Sequence, residues 1–482
     1  GPTHSRIDAW LAQALLCQLH DREAAMLSSC RHALGILENY QRTLGATELR
    51  AAVTAHGKEL VALGQRAASR RGSGAQMLAW SERWRATVQV AAPVRPPSDP
   101  ELSRDLSAWR EVCRQLDREE ISGPQAVALR RERSRLEAAV RARVLRAPGA
   151  AAARNRPFVL RPLLDALNGS VLIELIELDG VLRAVTVNRS GIRVHDVGSI
   201  SGAAREVDFA RFLLRRLAGG RPVPTPEHCL ADAGQLLEAA LLGPAASQID
   251  SDGVIVVPPG HLNAVPWGLL PALRDKSVSV NPSASSWLRA VSTPAPARRK
   301  VVVVGGPGLQ TGGVELASLN ARYPQATVIA AGMATAEHVL KALDSCWLAH
   351  VAAHGTFRAD NPLFSSLKLQ DGPLNVYDLE GLRHAPHRLV LSSCESGRGA
   401  PAGADELLGL ASSLMPMGTV GVVAAVVPVN DEMVPAFMDR LHEHVARGAG
   451  FPEALRLARS AASKGADPVA TATACSFLAL GV

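Results

Sequence analysis

The chain has 482 residues, 47% of them hydrophobic and 20% charged, a composition too apolar for disorder and a length too great for one ordinary core. Its net charge of +7 comes almost wholly from arginines dispersed along helical stretches with few aromatics between them, which argues against nucleic acid as a direct partner. The 7 cysteines never form a C-x-x-C pair, which argues against a disulfide framework or structural zinc and favours a reducing cytoplasm. The longest apolar runs, such as Val420–Val429, fall short of the ~20 residues of a membrane helix, and the start lacks the blocks of a secretory signal.

In chain order, Met26, Cys30, Ala33 and Leu37, then Leu49, Val53, Leu60, Leu63 and Ala67, follow the spacing of one buried helix face. Gly45 and Gly72-Ser73-Gly74 interrupt the pattern. Residues 1–92 therefore read as helical hairpins, repeats of the tetratricopeptide type whose concave face would bind a regulatory protein. Residues 93–156 read as linker and helical hairpin. They are proline-rich at Pro93–Pro100, amphipathic through Leu106, Trp109, Cys113 and Leu116, charged to Arg146, and rich in Ala and Arg from Pro148 to Arg156.

From residue 157 the pattern turns to strands. Val171–Leu178, Val181–Asn188 and Ile192–Val197 are separated by Asp179-Gly180 and Ser190-Gly191, the pattern of a hairpin meander. Short apolar strands then alternate with helices: Val254–Val257, Val301–Val304, Thr327–Ile329, Leu348–Ala352, Leu389–Leu391 and Val420–Ala425. Such runs predict a mostly parallel α/β sheet sandwiched by helices, with function at the carboxyl ends of its strands.

Two of those ends carry chemistry. Leu348–Phe357 runs from an apolar strand into His354 and Gly355, and Arg388–Gly397 runs from another into Ser392-Ser393-Cys394. A cysteine nucleophile needs an imidazole to hold it as thiolate, and N–H groups to receive the oxyanion. The N–H groups of Gly355 and Cys394 are the candidates for that oxyanion hole. No cofactor and no catalytic metal are expected. His384, His387, His442, His444 and the His228-Cys229 pair lack a metal-ligand pattern, and Val301–Gly308 lacks the lysine of a phosphate loop.

The H-G-x-F and S-x-C-x-S-G elements, about forty residues apart, resemble the CHAT domain, a caspase-like module. So do Val254–Leu270, Asn281–Leu288, Ala404–Asp431, Glu453–Ala458 and the terminal Ser476–Val482. The resemblance implies a degenerate, pseudo-protease half at residues 157–300 and a catalytic half at 301–482. It also implies a cysteine endopeptidase with a His354–Cys394 dyad, cleaving one protein substrate and regulated by its helical region. Where the family has a tryptophan, this chain has Val427. By the same resemblance Asp431 lies in the pocket for the residue before the cut and selects Arg or Lys; as a simple alternative it caps the helix that follows. The rival reading is a catalytically silent scaffold or regulatory protein that binds partners through the same modules.

Overall fold

The β-rich meander folds as its alternation predicts. Strands β1 (Val171–Leu178), β2 (Val181–Asn188) and β3 (Gly191–Ser199) are antiparallel. The β1–β2 turn is two residues long, with Asp179 at φ 53° and Gly180 at φ 76°, the left-handed pair that matches strand twist. The computed structural model describes every residue except 1–2, 45–48, 50–52, 54–56, 89–98, 118–121, 147–157, 357, 359–360, 393–413 and 466. Most of both expected linkers lies outside the described residues.

The remaining sheet strands are β4 (Gly253–Val257), β5 (Ser277–Val280), β6 (Val301–Gly305), β7 (Thr327–Ile329) and β8 (Leu348–Ala352). A hairpin sheet of β9 (Gly355–Thr356), β10 (Ser366–Leu369) and β11 (Gly372–Asn375) follows β8. Then come β12 (Arg388–Leu391), β13 (Gly421–Ala425) and β14 (Phe477–Gly481). Eleven of them form one sheet in the order β3-β2-β1-β4-β5-β14-β13-β12-β8-β6-β7. The pairs from β1 through β4 to β5 and from β13 through β12, β8 and β6 to β7 are parallel, and β14 joins the two sets, parallel to β5 and antiparallel to β13.

Helices cover both faces, which is why the central strands are apolar throughout. On one face, helices Ile200–Ala218, Pro226–Leu241 and Ala336–Leu343 share a core with strands of both sets. On the other, helices Gly312–Arg322, Val434–Ala446 and Phe451–Lys464 pack on β6, β8, β12 and β13. The N-terminal helices Thr3–Leu19, Glu23–Thr43, Lys58–Arg70 and Gly74–Val88 cover β1, β2 and β4 on that second face, with Leu172, Ile176, Val185, Val187, Ile255 and Val257 in their core. At Gly64 the third and fourth of these helices close to contact: a Cβ there would sit 2.3 Å from the Trp80 ring.

Helices Pro100–Leu116 and Gly123–Arg146 form the expected hairpin, opened by Asp99, whose carboxylate accepts from Glu101 N–H. Its apolar side, with Trp109, Leu136 and Val140, packs on Phe364 and Tyr377 beside the β9–β11 hairpin sheet. No described helix is long and apolar enough to cross a membrane.

Candidate active site

Strand β8 leads through Ala353 into the partly exposed His354 at the carboxyl rim of the sheet. The backbone fixes the imidazole from two sides. The His354 carbonyl accepts from Lys368 N–H at 2.7 Å, and its Nε2 lies 3.2 Å from the Gly308 carbonyl. A carbonyl only accepts, so Nε2 carries the proton in the neutral ring and Nδ1 is the basic nitrogen. Gly308 takes φ +85° to turn the loop after β6 toward the ring. The glycines there, which resemble a nucleotide loop in sequence, serve to bring this carbonyl to His354. Gly355 enters β9 opposite Leu367 without a left-handed φ.

β12 lies parallel to β8, with Leu391 opposite Val351, and Ser392 N–H bonds the Val351 carbonyl at 3.2 Å. Cys394 and Phe357 lie outside the described residues. Of the described thiols, burial pushes Cys113 and Cys346 up to about 12 and Cys30 up to about 11, and also raises Cys475. None of these four is a thiolate near neutral pH.

Asp431 stands in the turn after β13, on the same loop system as His354: its carbonyl accepts from Thr311 Oγ1 at 2.8 Å, three residues beyond Gly308. It does not cap the following helix. Helix Val434–Ala446 has no side-chain cap, and the turn before it is closed by Asn430, whose Oδ1 accepts from Glu432 N–H at 3.0 Å. Val427 is buried.

Two clusters escaped sequence reasoning. Behind β8, buried His350 places Nδ1 3.0 Å from Nε2 of buried His442 and Nε2 3.0 Å from the Glu315 carboxylate, and Tyr323 Oη lies 3.2 Å from His442 Nδ1. Burial, then His350 and Arg322, depress His442 well below the usual imidazole range. At the carboxyl ends of β1, β4 and β5, Arg85 pairs with fully buried Glu174 at 3.1 Å and donates to the Leu175, Val257, Pro258 and Pro282 carbonyls. Beside it, Glu82 accepts from Ala284 N–H and Ser285 N–H, the start of helix Ala284–Ser292. Contacts between residues distant in sequence, up to 203 positions apart, reveal both clusters.

The family model of the CHAT domain matches residues 231–473, just over half of the chain. The chain belongs to the CHAT domain family. No curated protein matches it. Two solved structures of the Saccharomyces cerevisiae separase–securin complex are similar in fold, at 10% identity and TM-scores of 0.52 and 0.51. The alignments cover 95% and 100% of this chain but 37% and 40% of the matched chains, so the CHAT chain spans about two fifths of their length. At that identity the likeness is one of fold alone: a helical region followed by a mostly parallel, caspase-like sheet between helices.

Proposed function

We propose that this CHAT protein is a cysteine endopeptidase that cleaves a specific protein partner through His354 and Cys394. The observation that carries the reading is the strand register. β8 and β12 are neighbours in step, and His354 and Cys394 each stand three residues beyond the Val351–Leu391 pair. Nδ1 of His354 takes the Cys394 thiol proton and the thiolate adds to the scissile carbonyl carbon. The Gly355 and Cys394 N–H groups receive the oxyanion. The imidazolium then gives its proton to the leaving amine, and a water, deprotonated by the same ring, releases the acid from the thioester.

On this reading residues 157–300 form the degenerate half and 301–482 the catalytic half. Residues 1–92 are the tetratricopeptide-like regulatory surface, and the 93–156 hairpin braces the rim. The structural relatives are complexes of separase with securin, which by analogy alone favours a protein regulator for the helical region here.

The test is to incubate wild type, Cys394→Ala and His354→Ala with a proteome and read new N-termini by mass spectrometry. Wild type should generate a small set of cuts after Arg or Lys. Each variant should lose them, a drop of at least about 10³-fold in rate. Cuts that persist at wild-type rate in Cys394→Ala remove the dyad, and wild type that labels no differently from the variant with an arginyl chloromethylketone favours the silent scaffold.

A further inference from the structure

Helix Ile200–Ala218 buries Ala203, Val207, Ala210, Leu214 and Leu217 against the sheet. On its opposite side Phe209 and Phe212 stand one turn apart and are 47% and 57% exposed, with Leu236 of the adjoining helix also exposed at 51%. Arg205, one turn before Phe209, and Arg216, one turn after Phe212, continue the same stripe. Arg205, Arg215, Arg216 and Arg221 outnumber Glu206 and Asp208 here, and Arg216 is held in place by donating to the Pro222 carbonyl at 3.0 and 3.2 Å. Two neighbouring exposed phenylalanines flanked by an excess of arginines match a segment that is itself apolar and acidic.

The stripe runs toward the candidate active site. Its last carbonyl, Ala218, accepts from Asn430 Nδ2 at 3.0 Å. Asn430 adjoins Asp431, which is tied to Thr311, on the loop whose Gly308 carbonyl meets His354. From Phe212 to Ala218 the helix advances about 9 Å at ~1.5 Å per residue.

We propose that this stripe is a docking site for the substrate polypeptide, and that it holds a short substrate segment of apolar residues flanked by carboxylates, outside the residues that are cut. The proposal rests on the peptidase reading for the word substrate, and its test reads binding apart from cleavage.

The experiment pans a random phage-displayed peptide library on the full chain carrying Cys394→Ala. Selected peptides should combine Leu, Ile, Phe or Trp with Asp or Glu. They should bind Phe209→Ser/Phe212→Ser at least tenfold more weakly, and lose affinity with salt and in Arg205→Ser/Arg216→Ser. Both phenylalanine side chains are solvent-facing, so the double variant should melt with wild type. Fusing a selected peptide to a cleavable sequence should lower KM in otherwise wild-type protein with kcat unchanged, whereas the short sequence alone is cleaved equally by wild type and the double variant. Selected peptides that bind the double variant as tightly as wild type overturn the site. So does a dimer of wild type abolished by Phe209→Ser/Phe212→Ser, which assigns the face to a second copy, or displacement of the peptides by a single-stranded oligonucleotide. Phenylalanine-dependent binding without cleavage of any fused sequence keeps the surface and fails the peptidase reading.

Discussion

Arg85 leaves a helix of the N-terminal region and ends among the carbonyls of β1 and of the turns after β4 and β5, so one guanidinium ties the helical layer to the first half of the sheet. Its partner Glu174 is fully buried, and burial together with the Glu82 carboxylate pushes it up to about 8, against the pull of Arg85. The folded state therefore binds a proton that the unfolded chain releases above the ordinary value of 4.5. The stability this contributes is whole below that value and is lost as pH rises toward about 8. Glu174→Gln lacks this loss, so melts at pH 5, 6.5 and 8 should show the variant gaining on wild type by on the order of 1–3 kcal/mol. A difference between the two that stays constant from pH 5 to 8 would mean the carboxylate is already ionised beside Arg85. At Asp431 the absence of any cap contact makes a second prediction. Asp431→Ala should change stability by less than about 0.5 kcal/mol and, if the pocket reading holds, abolish the Arg/Lys preference in a fluorogenic peptide series. His354 was legible because an apolar strand running into His-Gly is a local pattern. Gly308, Asn430 and Arg85 were not, since each acts through a partner distant in sequence.

Helices Gly312–Arg322 and Val434–Ala446 begin at the site rim and clasp His350, the middle residue of the strand that delivers His354. The groups facing His442 are His350, Glu315 beyond it, Tyr323, and the Arg322–Asp439 pair. Buried and neutral, His442 stays unprotonated in the fold at a pH where the unfolded chain, at 6.5, takes a proton. Stability is whole above 6.5 and falls as pH drops below it. The measurable outcome is a steeper decline in melting temperature from pH 7 to 5 for wild type than for His442→Gln. Equal slopes would show that His442 binds its proton equally well in the folded and unfolded chain. The parallel strands β6, β7, β8 and β12 were readable as short, mostly apolar runs between helices. β5 was not, because Ser277-Val-Ser-Val280 is only four residues long and half serine. The β9–β11 sheet also escaped notice, since two to four residues per strand leave no period to detect. The 100–146 helices showed their amphipathic faces, but nothing in the spacing named Phe364 and Tyr377 as their destination.

At the scale of the molecule, the parallel sets are adjacent only through β14, which lies between β5 and β13. Removing residues 477–482 should leave two sheets with open edges, replace one cooperative melt by two or by aggregation, and be visible in calorimetry. A single unaltered transition in that truncation would show that helix packing alone unites the halves. β14 is also the last strand to leave the ribosome among those described, so β5 and β13 are translated some 200 and 50 residues before the element that covers their edges. Throughout that interval the strand that ends in His354 belongs to a half-sheet without its inner neighbour. A chain whose synthesis has not reached β14 thus presents the edges of β5 and β13 to pairing with a second chain.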